Sequence, residues 1–157
     1  MSGREHTYST RVTWTGNPDG GTTRRNDHSR NHEIAVDGKP VIPASSDPAF
    51  RGDASRYNPE DLFVASLSAC HMLWYLSLCG KAGIEVREYV DQAEGVMVEE
   101  ANGGGAFTHV VLRPTITLAA GADAGAAEAI HHEAHAKCFI AQSVSCPVTV
   151  EATYREG

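Results

Sequence analysis

The chain has no Cys-x-x-Cys pair: its four cysteines, Cys70, Cys79, Cys138 and Cys146, stand alone, so the knuckle of a structural zinc site is missing. Basic residues are few, 13 Lys and Arg against 20 Asp and Glu for a formal net charge of -7, and apart from Arg24 and Arg25 they are scattered. Such a chain offers no positive stripe to phosphate backbones, which argues against a nucleic-acid partner. The opening residues MSGREHTYSTRVTW contain no apolar core of a secretion signal, and no apolar run approaches the roughly 18 residues that cross a bilayer. The expectation is a cytoplasmic protein without a membrane partner. In that reducing setting four cysteines do not make a permanent disulfide framework, which leaves packing, metal binding or redox chemistry as their uses.

At 157 residues the length suits one domain with its own core. Alternation over residues 8–16, with Tyr8, Thr10, Val12 and Trp14 on one face, predicts a strand. Residues 17–23, NPDGGTT, read as a turn. Residues 32–37 predict a second strand ended by the hairpin signal Asp37-Gly38, giving an N-terminal β-hairpin over about 6–40. Residues 41–57, broken by prolines and serines, are expected to be a loop. Asn58 then opens a helix, with Pro59 at its first position and Glu60 and Asp61 against its positive end. This central helix is expected over 58–80 and is apolar almost all round from Leu62 to Leu78. A helix apolar on every side must be covered on every side, and with only one other helix in the chain the simplest cover is a second copy. A β-hairpin over 84–120 follows, with Pro114 demoting its second strand to an edge or a bulge. A second helix over 123–142, with Cys138 near its end, and a final strand over 146–155 complete an α+β chain of mainly antiparallel sheets.

Cys70 in LSACHMLWYL and Cys138 in HAKCFIAQSV each lie in an apolar stretch that reads as helix. A single buried cysteine is ordinary packing; one in each of two helices is also the minimum for a peroxide-reducing dithiol centre. Asn58-Pro59-Glu60-Asp61-Leu62, then Cys70-His71 ten residues beyond Glu60, then Cys138 in a later helix, resemble the OsmC/Ohr family of organic hydroperoxide reductases over most of the chain. The resemblance implies an OsmC-like fold in an intertwined homodimer, a peroxidatic Cys70, a resolving Cys138, and an arginine held by Glu60 beside the reacting thiol. Arg51 in PAFRGDASRYNPED is the best match for that arginine, ahead of Arg30 and Arg56. A permanent positive charge suits the chemistry, because only the thiolate attacks an O–O bond and a free thiol is mostly protonated at neutral pH. The resemblance further implies an organic hydroperoxide substrate, a dithiol reductant of lipoyl or similar type, and no cofactor or metal.

Ten residues of helix span about 15 Å, so Glu60 and Cys70 of one continuous helix cannot both touch one arginine. Composite sites are therefore expected, with Glu60 and Arg51 of one subunit completing the pocket around Cys70 of the other. Cys79 and Cys146 match no functional position of the family and read as packing residues. Leu67, Phe63, Met72, Trp74, Phe139 and Ile140 either line an access route or belong to the core. In HHEAH, His131 and His135 stand at i and i+4, but Ala136 occupies the place of the second zincin histidine, which disfavours a metalloprotease. His135 lies three residues before Cys138 on the same helix face, and His71 stands where much of the family has Phe. Two alternatives remain: a metal-binding protein using Cys70, His71, Cys138 and His131 or His135, and a non-enzymatic stress protein that binds a small apolar ligand.

Overall fold

The computed structural model describes residues 3–17, 21–23 and 28–157, so Pro18 to Gly20 of the expected turn and the Arg24-Arg25 pair lie outside it. The chain divides into two compact units, Met1–Leu62 and Phe63–Gly157. The first is an antiparallel sheet of β1 (Arg11–Trp14), β2 (His32–Ala35) and β3 (Ile42–Ala44) in that order. β2 and β3 are joined at the Asp37-Gly38 turn, where Gly38 takes a φ of 77° and Lys39 N–H donates to Val36 O. The expected loop over 41–57 thus begins with a strand. Pro43 is tolerated there because β3 is an edge strand, whose outer N–H positions need no partner.

The rest of that segment folds back on itself. Asp47 accepts from Ala49 N–H through its side chain and from Phe50 and Gly52 N–H through its carbonyl. A side chain at Gly52 would collide with the carbonyls of Ser46 and Asp47. The tight loop places Arg51 at its tip with φ 66° and ψ 29°, the one described non-glycine residue with positive φ.

Helix α1 (Pro59–Lys81) starts with a reciprocal cap: Asp61 N–H donates to Asn58 Oδ1 at 2.7 Å and Asn58 N–H to Asp61 Oδ2 at 3.3 Å. It ends in a Schellman motif, with Gly83 at φ 71° and Ile84 N–H donating to Cys79 O at 2.9 Å. The expectation that no segment is long and apolar enough to span a membrane is corrected here, because α1 is, by length and composition. Its isolated serines and His71 break the apolar run as read in sequence, but the helix is continuous through them.

In the second unit, β4 (Val86–Asp91) pairs with β7 (Pro114–Leu118), and β7 with β9 (Thr153–Glu156). Likewise β5 (Glu94–Glu99) pairs with β6 (Gly105–Leu112), and β6 with β8 (Val148–Val150). The expected hairpin over 84–120 is therefore four strands in two sheets, and the expected final strand is two strands that pair in parallel. The two sheets are one three-stranded ribbon broken at a single level, at Gln92-Ala93, Arg113 and Glu151-Ala152. Arg113 explains the break: its N–H donates to Asp91 Oδ1 at 2.7 Å, while its guanidinium reaches Glu151 at 3.0 Å and Glu94 at 3.5 Å. Pro114 opens β7, which is a middle strand and not the expected edge; the first position of a strand needs no N–H. Helix α2 (Ala124–Lys137), capped by Asp123 accepting from Ala126 N–H, stops five residues short of the expected 142 because Cys138 turns to an extended conformation.

Two apolar clusters fill the unit. Leu67, Val110 and Leu112 form one with Phe63, Val64 and Phe107 around them. Tyr75, Leu78, Cys79, Ile116, Leu118 and two alanines of α2 form the other. Gly95 is required by the first: a Cβ there would lie 2.7 Å from both Phe107 Cε1 and Val64 Cγ2, and Phe107 is itself stacked on Phe63 at 4.6 Å. Gly95→Ala is expected to cost about 1–3 kcal/mol by overpacking. Thermal denaturation followed by circular dichroism should show a Tm several degrees lower, with the folded spectrum unchanged.

Candidate active site

The buried residues of α1 are Leu67, His71, Tyr75, Leu78 and Cys79, a single stripe at helical spacing. Leu67 belongs to one apolar cluster and Tyr75 to the other. The stretch between them is polar. Ser68 Oγ donates to Asp91 Oδ2 at 2.5 Å, tying α1 to the level where the ribbon breaks, and Cys70 and His71 follow.

Cys138 comes to this stretch from the end of α2. It is fully buried, its N–H donates to His135 O at 3.2 Å, and its Sγ accepts from Ala141 N–H at 3.4 Å. Its thiol faces that of Cys70, which is half-buried on α1. Burial first, and the neighbouring Cys70 second, push the Cys138 thiol up. The structure therefore brings together the two cysteines singled out by sequence, with all four cysteines in the thiol state. Cys79 is a core residue beside Tyr75, its thiol pushed up by burial, and Cys146 packs at the margin of the Leu67 cluster. Trp74 meets exposed Phe139 edge-on at 5.9 Å, with Lys137 over the Trp74 ring, so an aromatic ledge adjoins Cys138. Leu67 and Phe63, by contrast, are core.

Beside the cysteines lies a buried histidine pair that the sequence did not reveal as a pair. His71 Nε2 and His131 Nδ1 are 2.9 Å apart, and the two ring planes differ by 11°. Tyr75 stacks on the His131 face at 4.1 Å. The outer nitrogens, His71 Nδ1 and His131 Nε2, are buried without partners, as is His135 Nδ1. Burial pushes His71 down to about 4, with the neighbouring His131 and His135 adding to it, and burial alone does the same to His131. The i, i+4 spacing of His131 and His135 was the available signal, but His71 lies 60 residues from His131 and only packing joins them. Among the described residues no group of three or more His, Cys, Asp and Glu is arranged to hold a metal.

The other predicted site residues lie in the first unit. Glu60 stands in the first turn of α1, with Oε2 buried and lacking a hydrogen-bond partner. Arg51 is at the tip of the Asp47–Gly52 loop. Arg30 donates to His28 O at 2.6 Å, and Arg56 pairs with Asp53 at 3.5 Å.

An α+β chain whose two described α-helices bring two cysteines face to face, one within α1 and one at the C-cap of α2, is the class that fold and site define. The description of one family fits it: residues 52–153 match the OsmC-like protein family, and the chain belongs to that family. An OsmC-like protein of unknown function from Vibrio cholerae is 35% identical, with a TM-score of 0.86 over 95% of this chain and 100% of that one. An organic hydroperoxide resistance protein from Elizabethkingia anophelis is 23% identical, with a TM-score of 0.68 over 98% and 100%. The organic hydroperoxide resistance protein OhrB of Bacillus subtilis is 18% identical, with a TM-score of 0.59 over 94% and 98%; these last two likenesses bear on the fold alone. Among curated proteins none matches the chain.

The histidine pair makes stability depend on pH. Both rings titrate near 4 when folded, against 6.5 for an ordinary imidazole, so between those values the unfolded chain binds more protons. The pair's contribution is complete above about pH 6.5 and is lost as pH falls toward 4, by about 3 kcal/mol for each ring. Denaturation at pH 7.5, 6, 5 and 4 should give a Tm flat at the high end and falling below 6.5. Replacing both rings, as His71→Leu with His131→Leu, should flatten that slope.

Proposed function

We propose that this protein reduces organic hydroperoxides to alcohols with Cys70 as the peroxidatic and Cys138 as the resolving cysteine. The observation that carries the reading is the Cys70–Cys138 contact, one sulfur on α1 and the other at the end of α2. Cys70 is half-buried whereas Cys138 is fully buried, so the first encounter with peroxide suits Cys70 and the later role Cys138. In the first step the Cys70 thiolate attacks the O–O bond. Sulfur is oxidised to sulfenic acid, and the departing alkoxide takes a proton to become the alcohol. In the second step the Cys138 sulfur attacks Cys70–SOH; the S–O bond breaks, and the hydroxide leaves as water with the Cys138 proton. A dithiol reductant, of lipoyl type or similar, then returns both thiols. A cytoplasmic setting keeps such a pair reduced between turnovers.

Peroxide specificity is read from the surroundings of the pair. The aromatic ledge of half-buried Trp74 and exposed Phe139 favours a hydrocarbon-bearing peroxide over hydrogen peroxide. Steady-state consumption of tert-butyl and cumene hydroperoxide, with dihydrolipoamide as reductant, should exceed that of hydrogen peroxide. Cys70→Ser should fall to the background rate. Cys138→Ser should complete one turnover and stop with a sulfenic acid on Cys70, detectable by mass after trapping. Equal activity of Cys70→Ser and the unaltered protein would leave the apolar ligand-binding alternative.

The activating groups are assigned to a partner subunit. Glu60 carries a buried, unpaired carboxylate oxygen, and Arg51 is held at a loop tip by a left-handed backbone that few non-glycine residues adopt. Large apolar side chains also stand exposed on a single chain, among them Tyr8, Val12, Leu73, Val98 and Phe139, which supports the homodimer. Arg51→Ala is expected to lower kcat/KM by about 100-fold. Co-refolding the inactive Glu60→Ala and Cys70→Ser variants should restore about a quarter of wild-type activity, since half the dimers are mixed and each mixed dimer has one intact site. No recovery from a mixture shown to contain heterodimers would remove the composite site.

A further inference from the structure

We propose that His71 and His131 form a positioning pair that sets the register of α2 on α1, and so keeps the Cys138 thiol opposite Cys70 during the resolving step. The inference rests on the dithiol reading above and adds to it the residues that hold the second sulfur in place.

The need for such a device follows from geometry. A disulfide forms only when the two Cα atoms come within roughly 4.4–6.8 Å, so a small slide of one helix along the other takes the sulfurs out of reach. Cys138 is not within α2; it is the residue that leaves it, and its place is inherited from the last turn. The buried stripe of α2 is Ala127, His131 and Ala134, and Cys138 continues the same spacing. Alanines offer no knob to lodge in a partner's groove, so they resist sliding weakly. His131 is therefore the large buried side chain by which this face of α2 can be fixed.

It is fixed in two directions. Its edge is hydrogen-bonded to His71 Nε2 at 2.9 Å, and its face lies on Tyr75 at 4.1 Å. His71 and Tyr75 are four residues apart on α1, so His131 is gripped by consecutive turns of the helix that carries Cys70. Cys70 to Cys138 and His71 to His131 are thus two rungs between the same helices, and the second rung is two helical turns along α2 from the first. When the Cys70 sulfur becomes a sulfenic acid, its contact with the Cys138 thiol changes, but the histidine rung does not.

The test compares full-length variants that differ in where they place a polar atom. His131→Asn keeps one near the Nδ1 position, whereas His131→Gln carries it one bond further out. The double variant His71→Leu with His131→Leu removes the rung without leaving a lone polar group. Each is oxidised with diamide, which makes disulfides without peroxide chemistry, and then equilibrated against dithiothreitol to give the effective concentration of the Cys70–Cys138 pair. The expected result is a fall of about tenfold or more for the double variant and for His131→Gln, with His131→Asn close to the unaltered protein. Treatment with cumene hydroperoxide should also convert more Cys70 to sulfinic acid in the two impaired variants, because the resolving thiol arrives late. An unchanged effective concentration in the double variant overturns the proposal. If that variant does not fold, equal values for His131→Asn and His131→Gln overturn it. A wild-type protein that forms the disulfide with diamide but not with hydroperoxide would refute the peroxidase reading alone, and the diamide comparison would still judge the rung.

Discussion

The constraint on which the structure turns is the burial of one stripe of α1. Leu67, His71, Tyr75, Leu78 and Cys79 face inward along a helix that is apolar on nearly all sides, and the strands of the second unit and α2 organise themselves against that stripe. Large apolar groups are worth about 1.5–3 kcal/mol each when removed from water, so Leu67 and Tyr75 anchor their clusters firmly. His71 sits between the anchors, and a buried imidazole must find a partner or lose the hydrogen bonds it had in water. Its partner, His131, lies on α2. The polar interruption of an apolar helix thereby becomes the place where the second helix is held.

The same level of the fold is interrupted in the sheets. Asp91 accepts from Ser68 on α1 and from the Arg113 N–H at the break of the three-stranded ribbon, so the helix and the break are tied together. Along α1 the two apolar clusters, anchored by Leu67 and Tyr75, flank a stretch that carries Ser68, Cys70 and His71. Burial, with the neighbouring Cys70, pushes the Cys138 thiol up although the backbone N–H groups of Ala141 and Ile140 act the other way.

Much of the secondary structure was legible because it rests on local chemistry. Asn58, Pro59 and Asp61 make a cap whose bonds run within four residues, and Asp37-Gly38 makes a turn whose bond spans three. The alternation Val110, Leu112, Ile116 marked the inward face of its strands, and all three side chains are buried. What was misread depends on distant partners. Arg113 looks like an ordinary strand residue until Asp91, Glu94 and Glu151 gather round it and divide the ribbon, and β8 and β9 look like one strand for the same reason. The end of α2 was placed too far on because nothing in HAKCFIAQ shows that Cys138 turns out of the helix to point at α1.

The sequence by itself determined that the chain has a long capped helix, that it carries Glu60 and Cys70 ten residues apart, and that a second helix follows close before another cysteine. These are facts of spacing and local propensity, and they were enough to point to a family. Only the tertiary structure decided which side chains meet: that Cys138 lies against Cys70, that Cys79 joins a core of tyrosines, and that His71 reaches His131 rather than any residue near it in the chain. Partners 60 or more residues apart are chosen by which surfaces can be buried together, and no short stretch of sequence contains that choice.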